Sequence, residues 1–598
     1  MNHATASLLL SLGIGAPLLV LAMHAIGVSR SLASHLAPWA ALPALLGAVL
    51  MPADVSLRLP WLMLGADLGL GDSTGRLFLL FTTLLWCVAG PFARHYLSER
   101  SDRERFFVYF LLSMTGNIGL VLSQDVISFY LFFALMSFAS YGLVVHEGGP
   151  AALRAGRVYM VLVVLGEVTL FSAIMLAAAS AGSIGFEPVR ATLAHAPNRD
   201  LVMALAFIGF GIKAGVLGLH VWLPLAHPVA PTPASAVLSG AMIKAGLLGI
   251  LRLFPLGAAG LGQWGSALII LGLAAAFYAV AIGLTQRDPK TLLAYSSISQ
   301  MGILTTAVGL GLAAPAAVPA LIPVIGLYAV HHALSKGALF LGIGVLRAAS
   351  ARGRRWLWLL LWVPALALAG APLTSGMVAK LLLKAETYHA AGAWGPALQA
   401  VLPWSAVATS LLMGRFLILL RRPEAGYGAA GVPAGLLRPW GLLMALVALL
   451  PLWMAGPGAP LWSSAGAYFS STWPLLVAAA AIFAATAWRA VASRWRGGRV
   501  GRAKERTVGG PSPVPAGDLL VVIGWAWTPL DGWLRRLPGK TVSRCRTAWA
   551  RRAQRIAPAL DPRPAMDRLE AALRLWRNGT AGLLILGLLL AIAGWMAH

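Results

Sequence analysis

The sequence predicts an all-α polytopic membrane protein with about sixteen transmembrane helices, and three observations support this fold class. Of the 598 residues, 59% are hydrophobic and only 11% are charged, whereas about 25% of residues are charged in an ordinary soluble domain. Apolar stretches of about 20 residues, long enough to cross a bilayer as helices, recur along nearly the whole chain. Two of these stretches, five apart in order, each carry a lysine beside prolines that indicate a helix break. This composition excludes a soluble enzyme.

The net charge of the chain is +26. In a soluble protein such a charge would indicate nucleic-acid binding, but in a membrane protein it reflects basic cytoplasmic loops. The two cysteines, Cys87 and Cys545, are too few and too far apart in sequence to hold a zinc ion or a cluster. We therefore predict no metal, no cofactor and no nucleic-acid partner.

The apolar stretches divide the chain into sixteen spans, numbered in chain order. The first has no basic residue before its apolar run and is longer than a signal peptide, which predicts a retained helix. The spans lie near residues 6–27, 34–51, 76–96, 105–123, 125–146, 153–181, 201–222, 232–254, 263–284, 290–313, 316–347, 355–388, 396–421, 435–455, 472–491 and 578–597.

Basic residues are distributed unevenly between the loops. Loops after odd-numbered spans carry about three times as many Lys and Arg residues as loops after even-numbered spans, which places the odd loops in the cytoplasm. Both termini are then expected to face away from the cytoplasm, and the protein is expected in the inner (cytoplasmic) membrane.

The largest loop, residues 493–577, holds 18 basic and 6 acidic residues. One interpretation is a solvated cytoplasmic linker that lies against anionic lipid headgroups. Its segment DLLVVIGWAWTPLDGWLRRL (518–537) also fits an interfacial amphipathic helix or a surface that docks a partner subunit. The sequence leaves these alternatives open.

Ionisable residues inside spans are the candidates for chemistry, because each costs about 2.5 to 3.5 kcal/mol or more at the bilayer centre unless it is paired or hydrated. The lysines are Lys213, Lys244, Lys336 and Lys380, and the neighbouring histidines are His220, His227, His331 and His332. Buried lysines can alternate between charged and neutral forms, and imidazoles pass protons near neutral pH.

This pattern favours a proton path. The alternative for each side chain is a satisfied polar contact between helices, and His331 and His332 fit a relay and helix packing equally well. Lys384 and Glu386 are interpreted as a solvated helix end.

Prolines accompany two of the lysines. Pro224 follows Lys213, and Pro364 and Pro372 precede Lys380, so two spans that are five apart each carry a lysine beside a helix break. Corresponding interrupted spans are the mark of an inverted repeat with its site near the membrane midplane.

The repeat divides the chain into six expected units. They are an N-terminal three-helix segment (1–104), a first five-helix repeat (105–254), a second, inverted five-helix repeat (255–421), C-terminal helices (422–492), the basic linker (493–577) and a last helix (578–598).

Three motifs in the central region resemble a known family. They are KAGVLGLHVWLPLAHPVAPTPASAVLSGAMIKAG (213–246), DPKTLLAYSSISQMG (288–302) and HHALSKGALFLGIGVL (331–346). They are similar to the proton-conducting, antiporter-type subunits of respiratory complex I, of energy-converting hydrogenases of the formate hydrogenlyase type, and of multi-subunit cation/proton antiporters. The similarity covers roughly residues 75–420.

The resemblance implies a core of fourteen helices with two inverted five-helix units and discontinuous helices 7 and 12. It also implies a proton path through Lys213 of helix 7, Lys244 of helix 8, His332 of helix 11 and Lys380 of helix 12, to which we add Lys336. Relatives carry a glutamate in helix 5 that pairs with the helix 7 lysine.

The chain departs from the family at that glutamate. Its helix 5 reads FFALMSFASY (132–141), which places Ala134 at the position of the acid. Glu167, one span later, is the candidate ion-pair partner of Lys213. The two interpretations are that Glu167 has taken over the pairing, or that the unit does not pump.

Three functions remain open at this stage. The favoured one is a non-catalytic, proton-translocating subunit of a redox-driven complex of the NADH:quinone oxidoreductase or hydrogenase type. The others are a subunit of a cation/proton antiporter and a structural subunit without a working channel. The expected partners are other membrane subunits, the lipid bilayer and protons, with Na⁺ as the alternative ion. Protons are favoured because a sodium site needs several clustered oxygen ligands.

Overall fold

The structure is a computed structural model that describes residues 3–26, 30–52, 54–60, 62, 64–389, 394–421, 431–456, 459, 462–496 and 514–518. The sixteenth predicted span and most of the basic linker lie outside the described residues.

The helices follow the predicted spans in order. Spans 1 to 6 are α1 (His3–Ile26), α2 with α3 (Arg30–Leu36 and Leu42–Leu50), α4 (Ser73–Tyr96), α5 (Arg103–Leu122), α6 (Val126–Val144) and α7 (Pro150–Ala181). The short α8 (Phe186–Leu193) follows. Span 7 consists of two halves, α9 (Arg199–Ala214) and α10 (Trp222–Val229). Span 8 contains α11 (Thr232–Val237), a π-helical turn (Leu238–Met242) and α12 (Lys244–Leu253).

The second half of the chain contains spans 9 to 15. Spans 9 to 11 are α13 (Gly262–Thr285), α14 (Pro289–Ala313) and α15 (Val318–Ala348). Span 12 consists of α16 (Ala351–Leu360), α17 (Trp362–Ala369) and α18 (Ser375–Glu386), and spans 13 to 15 are α19 (Trp394–Arg421), α20 (Ala434–Ala455) and α21 (Ala465–Arg496).

Among the described residues, 13 helical segments are long and apolar enough to cross a membrane. The two predicted spans missing from this set are spans 7 and 12, because each is broken into shorter helices. The helical membrane fold and the discontinuous helices 7 and 12 are therefore confirmed.

A β-hairpin between spans 2 and 3 is the departure from an all-helical chain. Strand β1 (Ser56–Leu59) pairs antiparallel with β2 (Ala66–Gly69), so that Ser56 lies opposite Gly69. Leu68 forms a further bridge to Ser123, at the end of α5. The sequence did not reveal the hairpin because strands of four residues are too short for a clear alternating pattern.

Ion pairs connect two of the loops that follow odd-numbered spans. Arg100, after span 3, contacts Glu147, after span 5, at 2.7 Å, and it also contacts Asp102 at 2.9 Å. The Arg100 guanidinium lowers the pKa of Asp102 to about 2. These two loops therefore lie together on one face, as the positive-inside pattern predicts for them.

The lysine-bearing helices lie in the interior. Every residue of α14 from Pro289 to Leu312 is buried, whereas α20 and α21 expose large side chains such as Trp453 and Phe483. Lipid tails are as apolar as these side chains, so the outer helices suit contact with lipid. The candidate site is thus enclosed by protein.

Close packing of α13 against α14 depends on paired glycines. A Cβ atom added at Gly272 would lie only 2.5 Å from the carbonyl oxygen of Gly302. Small residues at such contacts let two membrane helices approach closely.

We expect Gly272→Val to lower the amount of assembled protein in the membrane several-fold, because the added side chain forces α13 away from α14. The measurement is detergent-extracted protein in size-exclusion chromatography. The matched control is Gly441→Val, since Gly441 has open space around it. Equal amounts of both variants would show that this contact tolerates separation.

Candidate functional site

The break in span 7 positions Lys213, the second-last residue of α9. Gly215 and Gly218 have φ of +72° and +90°, left-handed values that favour glycine, and they turn the chain between α9 and α10. The indole Nε1 of Trp222 donates a 2.7 Å hydrogen bond to the Ile212 carbonyl and so satisfies part of the open helix end.

Pro224 does not form this break. It lies in the first turn of α10, where a missing N–H costs no helical hydrogen bond. The glycines before it supply the turn that the sequence analysis assigned to the proline.

Lys213 is 3% exposed and contacts a residue that the sequence analysis missed. Its Nζ atom donates to the Tyr159 hydroxyl at 3.1 Å, and that hydroxyl donates to the Ser137 carbonyl at 2.7 Å. Tyr159 and Glu167 are eight residues apart on α7, which places them on one face of the helix. That spacing was the available signal.

Glu167 is 5% exposed and therefore does not face lipid. Its carboxylate interacts electrostatically with Lys213, although the two groups are more than 4.0 Å apart. Tyr159 supplies the direct hydrogen bond to the lysine, and Glu167 supplies the nearby negative charge. Its role as the replacement for the helix 5 glutamate stays a prediction.

We expect Tyr159→Phe to slow proton movement by roughly tenfold, equivalent to about 1.4 kcal/mol in the barrier, because Lys213 loses its hydroxyl partner while the ring packing remains. The measurement is dye-reported proton uptake by vesicles that contain the assembled complex. Tyr468→Phe on α21 is the control, since the Tyr468 hydroxyl donates to the Trp462 carbonyl at 3.0 Å and not to a residue of the path. An unchanged rate for Tyr159→Phe would remove Tyr159 from the path.

Lys244 begins α12 directly after the π-helical turn of span 8. Its Nζ atom donates to the Ser239 carbonyl at 2.6 Å. A π turn leaves carbonyls out of the regular α-helical pattern, and such turns are frequent at functional sites. The lysine uses one of these carbonyls.

Lys336 of span 11 is connected to Lys244 by hydrogen bonds. Its Nζ atom donates to the Leu293 carbonyl at 2.8 Å, and the same carbonyl accepts from the Ser297 hydroxyl at 3.0 Å. The Ser297 hydroxyl lies 2.8 Å from the hydroxyl of Ser239, whose carbonyl binds Lys244. Spans 8, 10 and 11 therefore hold two buried ammonium groups in one network.

The two adjacent histidines of span 11 have different surroundings. His332 is fully buried and interacts electrostatically with Lys244 and Lys336. Neither of its ring nitrogens makes a hydrogen bond to any residue that the structure describes. His331 instead shares a 2.8 Å hydrogen bond with Ser375, the first residue of α18. His332 thus faces the lysines, and His331 contacts the break in span 12.

Lys380 lies next to the break in span 12. Its Nζ atom donates to the carbonyls of Leu368 and Ala369 at 3.0 and 2.7 Å. These carbonyls end α17, so the ammonium lies at the negative end of that helix dipole. Pro372 lies inside the break, between α17 and α18.

A cavity of about 50 Å³ adjoins Lys380. Lys384, Tyr328 and Ser471 contribute to its lining. This volume has room for a few water molecules, which the polar groups in its lining can bond. Lys384 lines this cavity and is partly exposed.

Two further residues extend the row of buried polar groups. Lys290, at the first position of predicted span 10, was not among the candidates, yet it is 2% exposed and donates to the Ala230 carbonyl at 2.7 Å. Asp288 caps α14 by accepting from the Thr291 N–H, which places Lys290 inside the helix. His227 stacks on Phe340 and interacts with the charges of Lys290 and Lys336. The Asp-Pro pair before Lys290 was the available signal.

The arrangement suits transfer of protons. Carbonyl or hydroxyl oxygens accept hydrogen bonds from the four predicted lysines and from Lys290. An amine keeps N–H groups for these acceptors after it has lost a proton, so each site persists in both protonation states.

Comparison with known proteins finds a family model that covers the region of this site. Residues 123–402 match the family described as NADH:quinone oxidoreductase/Mrp antiporter, transmembrane. All the residues of the predicted proton path lie within this range. Hydrogenase-4 component B of Escherichia coli K12 is 34% identical over 293 residues, which cover 47% of this chain and 44% of that protein.

The putative antiporter subunit mnhA2 of Staphylococcus aureus MSSA476 is 32% identical over 356 residues, which cover 54% of this chain and 44% of that protein. This chain therefore spans less than half the length of either curated relative.

Two solved structures share the fold. The Mrp complex from Dietzia sp. DQ12-45-1b superposes with a TM-score of 0.68 at 22% identity, covering 94% of this chain and 63% of that chain. The membrane-bound sulfane sulfur reductase, an archaeal respiratory membrane complex, superposes with a TM-score of 0.61 at 20% identity. This match covers 79% of this chain and 97% of that chain.

Proposed function

We propose that this chain translocates protons as the non-catalytic membrane subunit of a redox-driven complex. Its residues 123–402 match the family described as NADH:quinone oxidoreductase/Mrp antiporter, transmembrane. Its partners are other membrane subunits, which carry the electrons, and its location is the inner (cytoplasmic) membrane.

The surroundings of His332 carry this proposal. A fully buried imidazole is normally hydrogen-bonded, yet both ring nitrogens of His332 are without a bond to the described residues, and the ring faces the charges of Lys244 and Lys336. An imidazole with two available nitrogens can accept a proton on one and release it from the other. This supports a relay between the two lysines.

The path has an inner and an outer end. Lys290 follows the loop after span 9, on the face that the basic loops assign to the cytoplasm, and it leads through His227 to Lys336. At the other end, the cavity beside Lys380 is lined by Ser471 near the start of α21, on the face assigned to the outside. Protons would therefore pass along spans 10 to 12 between opposite faces.

A cation/proton antiporter subunit is the second candidate. The similarity to the putative antiporter subunit mnhA2 is almost as high as the similarity to hydrogenase-4 component B. A structural subunit without transport is less favoured, because Lys213 keeps both a hydroxyl partner and a buried carboxylate nearby despite Ala134.

The test is purification of the intact complex from its native membrane and its reconstitution into vesicles. We expect redox subunits to copurify, and electron transfer to drive proton movement that an uncoupler abolishes. Copurification of antiporter subunits alone, with proton movement driven only by a cation gradient, would replace the redox-driven proposal by the second candidate.

A further inference from the structure

The start of the segment singled out in the basic linker lies against the chain's own membrane core. Among residues 514–518, the Val514 carbonyl accepts a 3.1 Å hydrogen bond from Gln286, and Gly517 packs beside Leu225 of α10. Both partners lie more than 200 positions earlier in the sequence. This part of the linker therefore docks on spans 7 and 9 instead of on lipid headgroups.

Asp518 ends this segment and is 3% exposed. Its Oδ2 atom accepts a short hydrogen bond from the Tyr278 hydroxyl of α13, and its Oδ1 atom lies 3.6 Å from Nε2 of His220. Tyr295 of α14 also faces this carboxylate. Three separate spans thus direct polar groups at one acid that the linker supplies.

His220 connects this acid to the broken helix. It lies between α9 and α10, in the break that begins after Lys213. Its Nδ1 atom accepts from the Gly218 N–H at 3.3 Å, so the ring proton belongs on Nε2, the nitrogen that faces Asp518. His220 therefore orients the carboxylate and is a positioning residue.

We propose that Asp518 is a proton-binding carboxylate of the translocation machinery, inserted from the linker into the break of span 7. In the binding step, an O–H bond of a hydronium ion on the linker face breaks, an O–H bond forms on Oδ1 of Asp518, and water is left. Release reverses this step. Protonation removes the negative charge beside His220, so the charge at the break of span 7 depends on this residue of the docked linker.

This inference rests on the proposed proton translocation, and it explains one difference from the family. In relatives, the helix 5 glutamate pairs with the lysine of helix 7, and this chain has Ala134 in its place. Asp518 brings another carboxylate to the break of helix 7.

The experiment compares Asp518→Asn, Asp518→Glu and Asp531→Asn in the complete reconstituted complex. The asparagine oxygen still accepts the Tyr278 hydrogen bond but cannot bind a proton. We expect Asp518→Asn to lower proton uptake at least about tenfold, while Asp518→Glu and the linker control Asp531→Asn keep most of it. Normal uptake by Asp518→Asn would overturn the proposal and leave a purely structural contact.

A second measurement does not depend on transport. In infrared difference spectra between acidic and alkaline pH, wild-type complex should show a buried carboxylic acid C=O band that is absent in Asp518→Asn and unchanged in Asp531→Asn. An identical band in both variants would exclude Asp518 as the proton-binding group. If wild-type vesicles move no protons but this band is present, the proposed function fails while the proton-binding site stands.

Discussion

Lys244→Met should abolish proton movement while the complex still assembles. Methionine keeps most of the apolar length of the side chain but removes the ammonium group, and removing a buried charge relieves its desolvation cost as it removes the 2.6 Å contact with Ser239. We expect uptake to fall by more than about tenfold, or about 1.4 kcal/mol in the barrier.

The control for Lys244→Met is Lys540→Met, which makes the same substitution at a lysine of the basic linker. This variant should keep most of the transport. Loss of the Lys244→Met protein from the membrane, instead of loss of transport, would assign Lys244 a structural role. Full transport by an assembled Lys244→Met complex would remove it from the path.

Glu167→Gln should also stop or strongly slow transport. The buried carboxylate is the negative charge that interacts with Lys213, and glutamine keeps its shape without the charge. An uncompensated charge inside a protein is costly. Without the Glu167 charge, the protonated form of Lys213 is therefore less stable, and the lysine should no longer take up protons for transport. The measurement is proton uptake at equal amounts of assembled complex.

A second substitution makes this test specific. Ala134 lies one helical turn before Ser137, whose carbonyl binds Tyr159 beside Lys213. Ala134→Glu in the Glu167→Gln background should therefore restore part of the transport by returning a carboxylate to the lysine. Ala134→Gln in the same background is the uncharged control. Equal recovery with Glu and Gln would show that the charge is irrelevant.

The order of the spans and the buried lysines could be predicted from sequence because hydrophobicity and charge report directly on the membrane environment. Spans 7 and 12 were predicted as interrupted because prolines accompany their lysines, and prolines mark helix breaks. The break in span 7 was assigned to Pro224, although Gly215 and Gly218 make the turn. Proline at the start of a helix and proline inside one look alike in sequence.

Contacts between distant residues were beyond the reach of the sequence. Tyr159 binds Lys213 across 54 positions, and Asp518 meets Tyr278 across 240. Periodicity assigns a residue to a face of its own helix but does not identify the helix that packs there. Lys290 was not selected as a candidate because it lies at the start of span 10, and helix boundaries are the least certain part of such a prediction.

Simultaneous recording of proton and sodium movement by vesicles that contain the intact complex is the most direct test of a lysine and histidine path. During redox turnover, we expect proton movement that persists in sodium-free buffer. Lys244→Met should abolish this movement, and the linker control Lys540→Met should retain it. Sodium-dependent turnover that moves Na⁺ without any change in pH would contradict a proton path.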